Sequence, residues 1–181
     1  MKNIVFVTGN QHKADALAKW LGMPIDHQKV DQDEIQSLDL RQVVEHKARQ
    51  AFDALKQPVL VEDVALSFTA MGRLPGAFIK WFLEELGNEG LCRLADSLLV
   101  RTAEAAIIYG LFDGQKMELF EARQQGEITE KPRGDAGFGW NPIFVPEGSR
   151  QTYAEMDEAT FKEWNIRAHA IEKLKIYLRN N

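Results

Sequence analysis

A short β-branched and aromatic run in "KNIVFVT", positions 2 to 8, gives way at a Thr8-Gly9-Asn10 corner to residues with helical spacing. The pattern predicts a strand, a corner and a helix, with Asn10 placed to cap a helix that begins near Gln11. A weaker strand signal covers residues 24 to 31. In "DLRQVVEHKARQAFDAL", Leu40, Val43, Val44, Ala48, Ala51 and Leu55 fall on one helical face. Asp39 is the predicted N-cap there, and Gln42 three positions on makes a variant of the capping box. "PVLVED", residues 58 to 63, is a short apolar run suited to an interior strand, and it is expected to stop at its two carboxylates.

Further on, "LPGAFIKWFLEELG" sets a Pro-Gly corner before a short helix ending at Gly87, and helical spacing resumes over residues 89 to 98. Residues 104 to 124 read as two strands around the "FDGQ" turn at 112 to 115, a hairpin with an Asp-Gly signal. "KPRGDAGFGWNPIFVPEGS" is dense in Gly and Pro, which predicts a long shaped loop with a strand fragment at Ile143 to Val145. One closing helix is expected, with Phe161, Trp164, Ala168, Ile171, Leu174 and Leu178 as its apolar stripe. No repeat, linker or low-complexity tract interrupts the pattern.

Length and composition narrow the picture. A chain of 181 residues with 45% hydrophobic content can form one globular unit burying roughly 70% of the surface its unfolded form exposes. The formal net charge is −5 with no long basic block, so nucleic acid is not an expected partner. The single Cys92 cannot form an intramolecular disulfide, and no charged-then-apolar signal segment is seen, which predicts a reducing, cytoplasmic setting. Every apolar run is broken by charge well before the 18 or so residues a membrane helix needs, so no membrane is expected.

Several positions carry candidate chemistry. The Thr8-Gly9-Asn10 corner matches neither the Walker pattern nor the dinucleotide fingerprint, yet a helix start with Gly9 beside it and Lys13 in its first turn suits an anion. It equally suits a plain turn with a solvated lysine. Lys47 interrupts the apolar face set by Val43 and Val44, so it must snorkel or face a cleft. Arg167 poses the same question on the last helix, and Lys80 sits among Phe78, Ile79, Trp81 and Phe82. Glu62 and Asp63 are expected at a strand end, where open α/β sheets collect ligands. Because successive strand residues point to opposite faces, the two should have different jobs. Carboxylates alone suit Mg²⁺ or Mn²⁺, with Glu34 of "DQDEIQ" as a second donor. His12, His27, His46 and His169 have no zinc spacing, and no nucleophile elbow is present. Phe138 and Trp140, between glycines, could stack on a flat ring or simply pack in the core.

"TGNQHK", "PVLVEDVAL", "LPGAFIKWF", "RGDAGFGWNPIF" and "QTYAEM" follow one another in an order and spacing that resembles the inosine triphosphate pyrophosphatase family, the Ham1-like nucleotide house-cleaning enzymes, over essentially the whole chain. "LPGAFIKWFLE" and "QTYAEM" look closest to its eukaryotic and archaeal branch. The resemblance implies an α/β fold with a long central mixed sheet flanked by helices, two lobes with a cleft, one bilobed domain over residues 1 to 181, and a homodimer. It implies a hydrolase that converts ITP, dITP or XTP with Mg²⁺ to the monophosphate and pyrophosphate. Carried over position by position, Thr8, Gly9, Asn10, Lys13 and Lys47 would meet the triphosphate. Glu34 and Asp63 would bind metal, with Asp63 also activating water. Lys80 would be a catalytic-site lysine, and Phe138, Gly139, Trp140 and Asn141 the base-binding loop.

The departures gather at the base end. Ala16 stands where the family's opening motif has Glu, Asn141 replaces an Asp, and Phe161 takes the place of a base-contacting lysine. The Ser-His-Arg signature appears as Asn165-Ile166-Arg167, leaving only Arg167 for substrate contact. Chemistry should therefore survive better than base selection, which depends on hydrogen bonds a hydrocarbon cannot make. A second reading from the same departures is a nucleotide-binding sensor or adaptor with impaired turnover.

Overall fold

The computed structural model describes residues 4–137 and 139–180. Lys2 and Asn3, the first residues of the expected opening strand, lie outside the described residues, as does Phe138. The described chain forms strands β1 (Val5–Val7), β2 (Asp26–Gln28), β3 (Val59–Phe68), β4 (Pro75–Gly76), β5 (Thr102–Phe112), β6 (Met117–Ile128) and β7 (Phe144–Pro146). Its helices are α1 (Gln11–Leu21), α2 (Leu40–Leu55), α3 (Ile79–Asp96), α4 (Glu158–Trp164) and α5 (Ile166–Asn180). The strands make one seven-stranded sheet in the order β2-β1-β3-β5-β6-β7, with β4 also on β3. β1 is parallel to β2 and to β3, whereas β4 on β3 and β7 on β6 are antiparallel, so the fold is mixed α/β as expected. No helix among the described residues is long and apolar enough to cross a membrane.

Two compact units divide the chain. One takes the residues up to Asp63, Ile107–Ala122 and those from Arg167 onward; the other takes Val64–Ala106 and Arg123–Ile166. In the first, Phe6, Leu17, Val44, Leu60, Ile108, Tyr109 and Leu174 form the buried core. In the second, Leu66, Phe68, Leu91, Ile128, Phe144 and Tyr153 do so.

Local chemistry explains most boundaries. The Asn10 side chain accepts from Lys13 N, and Gly22 closes α1 in the left-handed region. Asp39 Oδ1 accepts from Arg41 N at 2.9 Å, but the capping box is not closed by Gln42 directly. Ser37 Oγ accepts from Asp39 N and donates to Gln42 Oε1, standing between the two ends of the box. The β5–β6 turn is held by Asp113 Oδ1, which accepts from Gln115 N and Lys116 N at 2.8 and 2.7 Å. Gly114 adopts φ +95°, and a Cβ there would stand 2.3 Å from Phe52 Cζ. Only glycine meets both conditions.

Two expectations are corrected. β3 does not stop at its carboxylates but continues through them to Phe68, because each carboxylate is compensated by a cation and the alternation of residues carries on. The closing segment is two helices: Asn165 is extended at φ −78° and ψ 128°, and Tyr153 Oη donates to the Trp164 carbonyl left at the end of α4. In α3, Gly87 at φ 61° and ψ 179° marks a kink where the sequence placed a break.

Candidate active site

The site begins where β1 ends. Phe6 lies opposite Leu60 in the parallel pair, and Glu62 follows two residues further along β3. β3 runs on past that point while the chain after Val7 turns into the Thr8-Gly9-Asn10 corner. Within the corner, Thr8 Oγ1 accepts from Asn10 N at 3.1 Å, Asn10 Oδ1 accepts from Lys13 N at 3.3 Å, and Thr8 N donates to Gln28 O. Asn10 thus spends its side-chain acceptor on its own helix. A Cβ on Gly9 would lie 3.2 Å from Lys29 Cδ, so the lysine stem already rests on the corner backbone. Lys29 is a cation at this corner that sequence spacing had not marked.

Glu62 and Asp63 point to opposite faces of β3, as strand geometry requires. On one face Glu62 is 2% exposed and meets Lys13 of α1, with Nζ to Oε1 at 3.0 Å. The same carboxylate accepts from Arg167 Nη1 of α5 through Oε2. Arg167 Nη1 also donates to the Tyr109 hydroxyl at 3.1 Å. Burial pushes the Arg167 guanidinium down to about 10, which leaves it charged at neutral pH. Burial pushes the Tyr109 phenol up, so it stays neutral.

On the other face Asp63 meets Lys47 of α2, with Nζ to Oδ2 at 2.6 Å and both side chains 17% exposed. Lys47 therefore does not snorkel to bulk water; it turns to a carboxylate. Glu34 Oε1 lies 3.9 Å from the same ammonium. The segment bearing Glu34 is pinned to α2 by Gln32 Nε2, which donates to Lys47 O, and by Gln50, which accepts from Asp33 N and donates to Asp33 Oδ2. Lys47 thereby gathers two carboxylates, hard oxygen donors of the type Mg²⁺ accepts when water and phosphate complete its shell. Among the described residues no group of three or more His, Cys, Asp or Glu could hold a metal ion.

The other expected site residues belong to the second unit. Lys80 is exposed on the first turn of α3, with Nζ 4.9 Å from the Trp81 ring centroid. Gly139 O accepts from Asn88 Nδ2 at 3.0 Å. Trp140 is 8% exposed, with its ring edge-on to Phe144 at 5.6 Å and tilted against Tyr153 at 6.0 Å, the core-packing arrangement. Asn141 is buried and its carbonyl accepts from Ala154 N. Phe161 packs edge-on to Tyr153, and Asn165 and Ile166 are both buried.

Sequence reading marks Glu62 as a strand-end carboxylate without giving it a role, and it does not mark Tyr109. Glu62 carried a signal, since it neighbours Asp63 and points away from it. Tyr109 carried none, because an aromatic in an apolar strand reads as core and only the tertiary fold brings Arg167 to its hydroxyl.

The model of the Ham1 family matches residues 4–177. "Inosine triphosphate pyrophosphatase 2" of Trypanosoma cruzi is 40% identical over 178 residues, 96% of this chain and 91% of that protein. "Inosine triphosphate pyrophosphatase" of Emericella nidulans is 42% identical over 182 residues, 98% of this chain and 97% of that one. In fold, the chain is similar to a HAM1 protein from Coxiella burnetii with a TM-score of 0.89 at 23% identity, each chain covered completely. Matched along nearly its whole length by the family model and by these relatives, the chain belongs to the Ham1 family.

Proposed function

We propose that the protein is a nucleotide house-cleaning hydrolase that cleaves non-canonical purine nucleoside triphosphates, ITP, dITP or XTP, into the monophosphate and pyrophosphate. The observation that carries the reading is that Lys13 of α1 and Lys47 of α2 each turn to a carboxylate at neighbouring positions of β3, Glu62 on one face and Asp63 on the other. A polyphosphate is the ligand that gives Lys47 a reason to interrupt an apolar helix face and Lys13 a partner at the first turn of α1. The names of the relatives, inosine triphosphate pyrophosphatase, support the same reaction.

In this reading Lys13 and Lys47 bind the triphosphate, and the Thr8-Gly9-Asn10 corner brings backbone close to it. Asp63 takes a proton from the water that attacks the α-phosphorus, and pyrophosphate leaves with the electron pair of the α–β bridging bond. Glu34 and Asp63 are the residues that would hold Mg²⁺, or Mn²⁺, which when bound supplies neutralisation of phosphate charge. The enzyme acts as a cytoplasmic homodimer.

Ile166 offers a buried hydrocarbon where the resemblance places a base-reading histidine. The base is therefore selected less sharply than donor-based recognition would allow. The test is pyrophosphate release from ITP, XTP, dITP, GTP and ATP, with Mg²⁺ and with chelator. Metal-dependent pyrophosphate from at least the inosine or xanthine nucleotides is the expected result. Binding without turnover would instead mark a sensor or adaptor.

A further inference from the structure

A residue that reads a base has to send its donors toward the substrate, and Arg167 directs Nη1 into the protein. Its Nη1 pairs with Glu62 Oε2 and donates to Tyr109 Oη at 3.1 Å. Glu62 is 2% exposed and Tyr109 is fully buried, while the Arg167 side chain itself is 13% exposed. The second Glu62 oxygen lies 3.0 Å from Lys13 Nζ. One buried carboxylate thus stands between two cations, and the three groups sum to one net positive charge.

The position of that surplus charge matters. A buried carboxylate needs a full counter-charge, and leaving it without one is strongly unfavourable. With Arg167 supplying it, Lys13, whose side chain is 30% exposed, keeps a charge to offer an anion. With Arg167 removed, Glu62 cancels Lys13 and the sum falls to zero. The neutral Tyr109 hydroxyl adds no charge but fixes the guanidinium against the sheet, so the ion pair keeps one geometry.

We propose that Arg167 is a positioning residue and not a base reader: with the Tyr109 hydroxyl it neutralises and orients Glu62, so that Glu62 holds Lys13 in place without cancelling the charge Lys13 presents to the triphosphate. The inference rests on the triphosphate reading of Lys13 given above and deepens it. It moves the last member of the family's carboxy-terminal signature from the base to the phosphates. It also gives Glu62 and Tyr109 a shared task.

The test combines steady-state kinetics of Arg167→Gln, Tyr109→Phe and the double variant Glu62→Gln/Arg167→Gln on ITP, XTP, GTP and ATP with calorimetric binding of inorganic tripolyphosphate. Arg167→Gln is expected to raise KM for every nucleotide by one common factor, about tenfold, and to weaken tripolyphosphate by a similar factor. Tyr109→Phe, which keeps the ring packing, shifts both in the same direction by a smaller factor. The double variant recovers much of the tripolyphosphate affinity, because Lys13 no longer faces an uncompensated carboxylate; a residue needed only for folding would show no such rescue. Loss confined to ITP and XTP with tripolyphosphate binding unchanged would make Arg167 a base reader and overturn the proposal, as would failure of the rescue. Should the unaltered protein release no pyrophosphate from any nucleotide, the hydrolase reading falls, while the tripolyphosphate arm still decides the role of Arg167.

Discussion

Replacing Lys47 by Met tests the site most directly, because the substitution keeps much of the aliphatic stem and removes only the charge. Lys47 Nζ is 2.6 Å from Asp63 Oδ2 and 3.9 Å from Glu34 Oε1, with 17% of the side chain exposed. A phosphate oxygen about 4 Å from an ammonium gains about 1 kcal/mol in water and about 4 kcal/mol at the effective dielectric of a partly dry site. The difference, about 3 kcal/mol, corresponds to roughly a hundredfold in kcat/KM for ITP if it is expressed in the transition state. Stability should fall as well, by about 1–2 kcal/mol, since Asp63 and Glu34 lose a shared cation while keeping some access to water. Pyrophosphate release at saturating Mg²⁺ measures the first quantity and urea unfolding the second. Lys47→Arg should recover part of the activity by restoring charge without the ammonium geometry. A Lys47→Met enzyme with kcat/KM within threefold of the parent would remove Lys47 from the phosphate site and with it the reason for its place on α2.

Gly114→Ala should lower the urea midpoint by an amount equivalent to about 2 kcal/mol or more, since the new methyl meets the Phe52 ring and the backbone stays in the left-handed region; an unchanged midpoint would contradict the turn geometry. Burial pushes the Cys92 thiol up, so the folded state keeps its proton where the unfolded chain begins to lose it, near pH 8.5. Stability from this group is complete below that pH and declines as pH rises through the folded value, and parallel urea titrations of parent and Cys92→Ala between pH 7 and 10 should diverge accordingly. Alkylation of Cys92 should also be slow at pH 8 and become fast on unfolding, followed by mass spectrometry. In the substrate panel, ITP should exceed GTP and ATP by a modest factor, about tenfold or less, because Ile166 cannot donate to a 6-oxo group; a preference of several hundredfold would show that another group does so.

Much of the frame was legible from spacing. Asn10 and Asp39 announced their helices because a short polar side chain at that position satisfies an otherwise unpartnered N–H. The "FDGQ" turn and the Gly87 break followed from conformations that favour Asp and Gly. Spacing failed where a neighbour from elsewhere in the chain decided the outcome. The sequence predicts that β3 stops at the Glu62-Asp63 pair because two carboxylates in a strand interior are costly, and Lys13 and Lys47, distant in sequence, offset that cost. The last helix was expected unbroken because its apolar stripe is continuous, but Asn165 is extended and Tyr153 takes the carbonyl that the break leaves.

For the site, the alternation along β3 assigned Glu62 and Asp63 to different faces from sequence alone, and the interruptions of apolar helix faces marked Lys47 and Arg167. Side-chain direction along a strand or helix is a local property of the backbone, so the sequence determined it. Which groups those side chains meet is not local. Lys13 with Glu62, Lys47 with Asp63 and Glu34, and Arg167 with Tyr109 are pairs set by how helices lie on the sheet. That arrangement follows from the packing of the core as a whole, and only there does a buried carboxylate acquire the cations that make it tolerable.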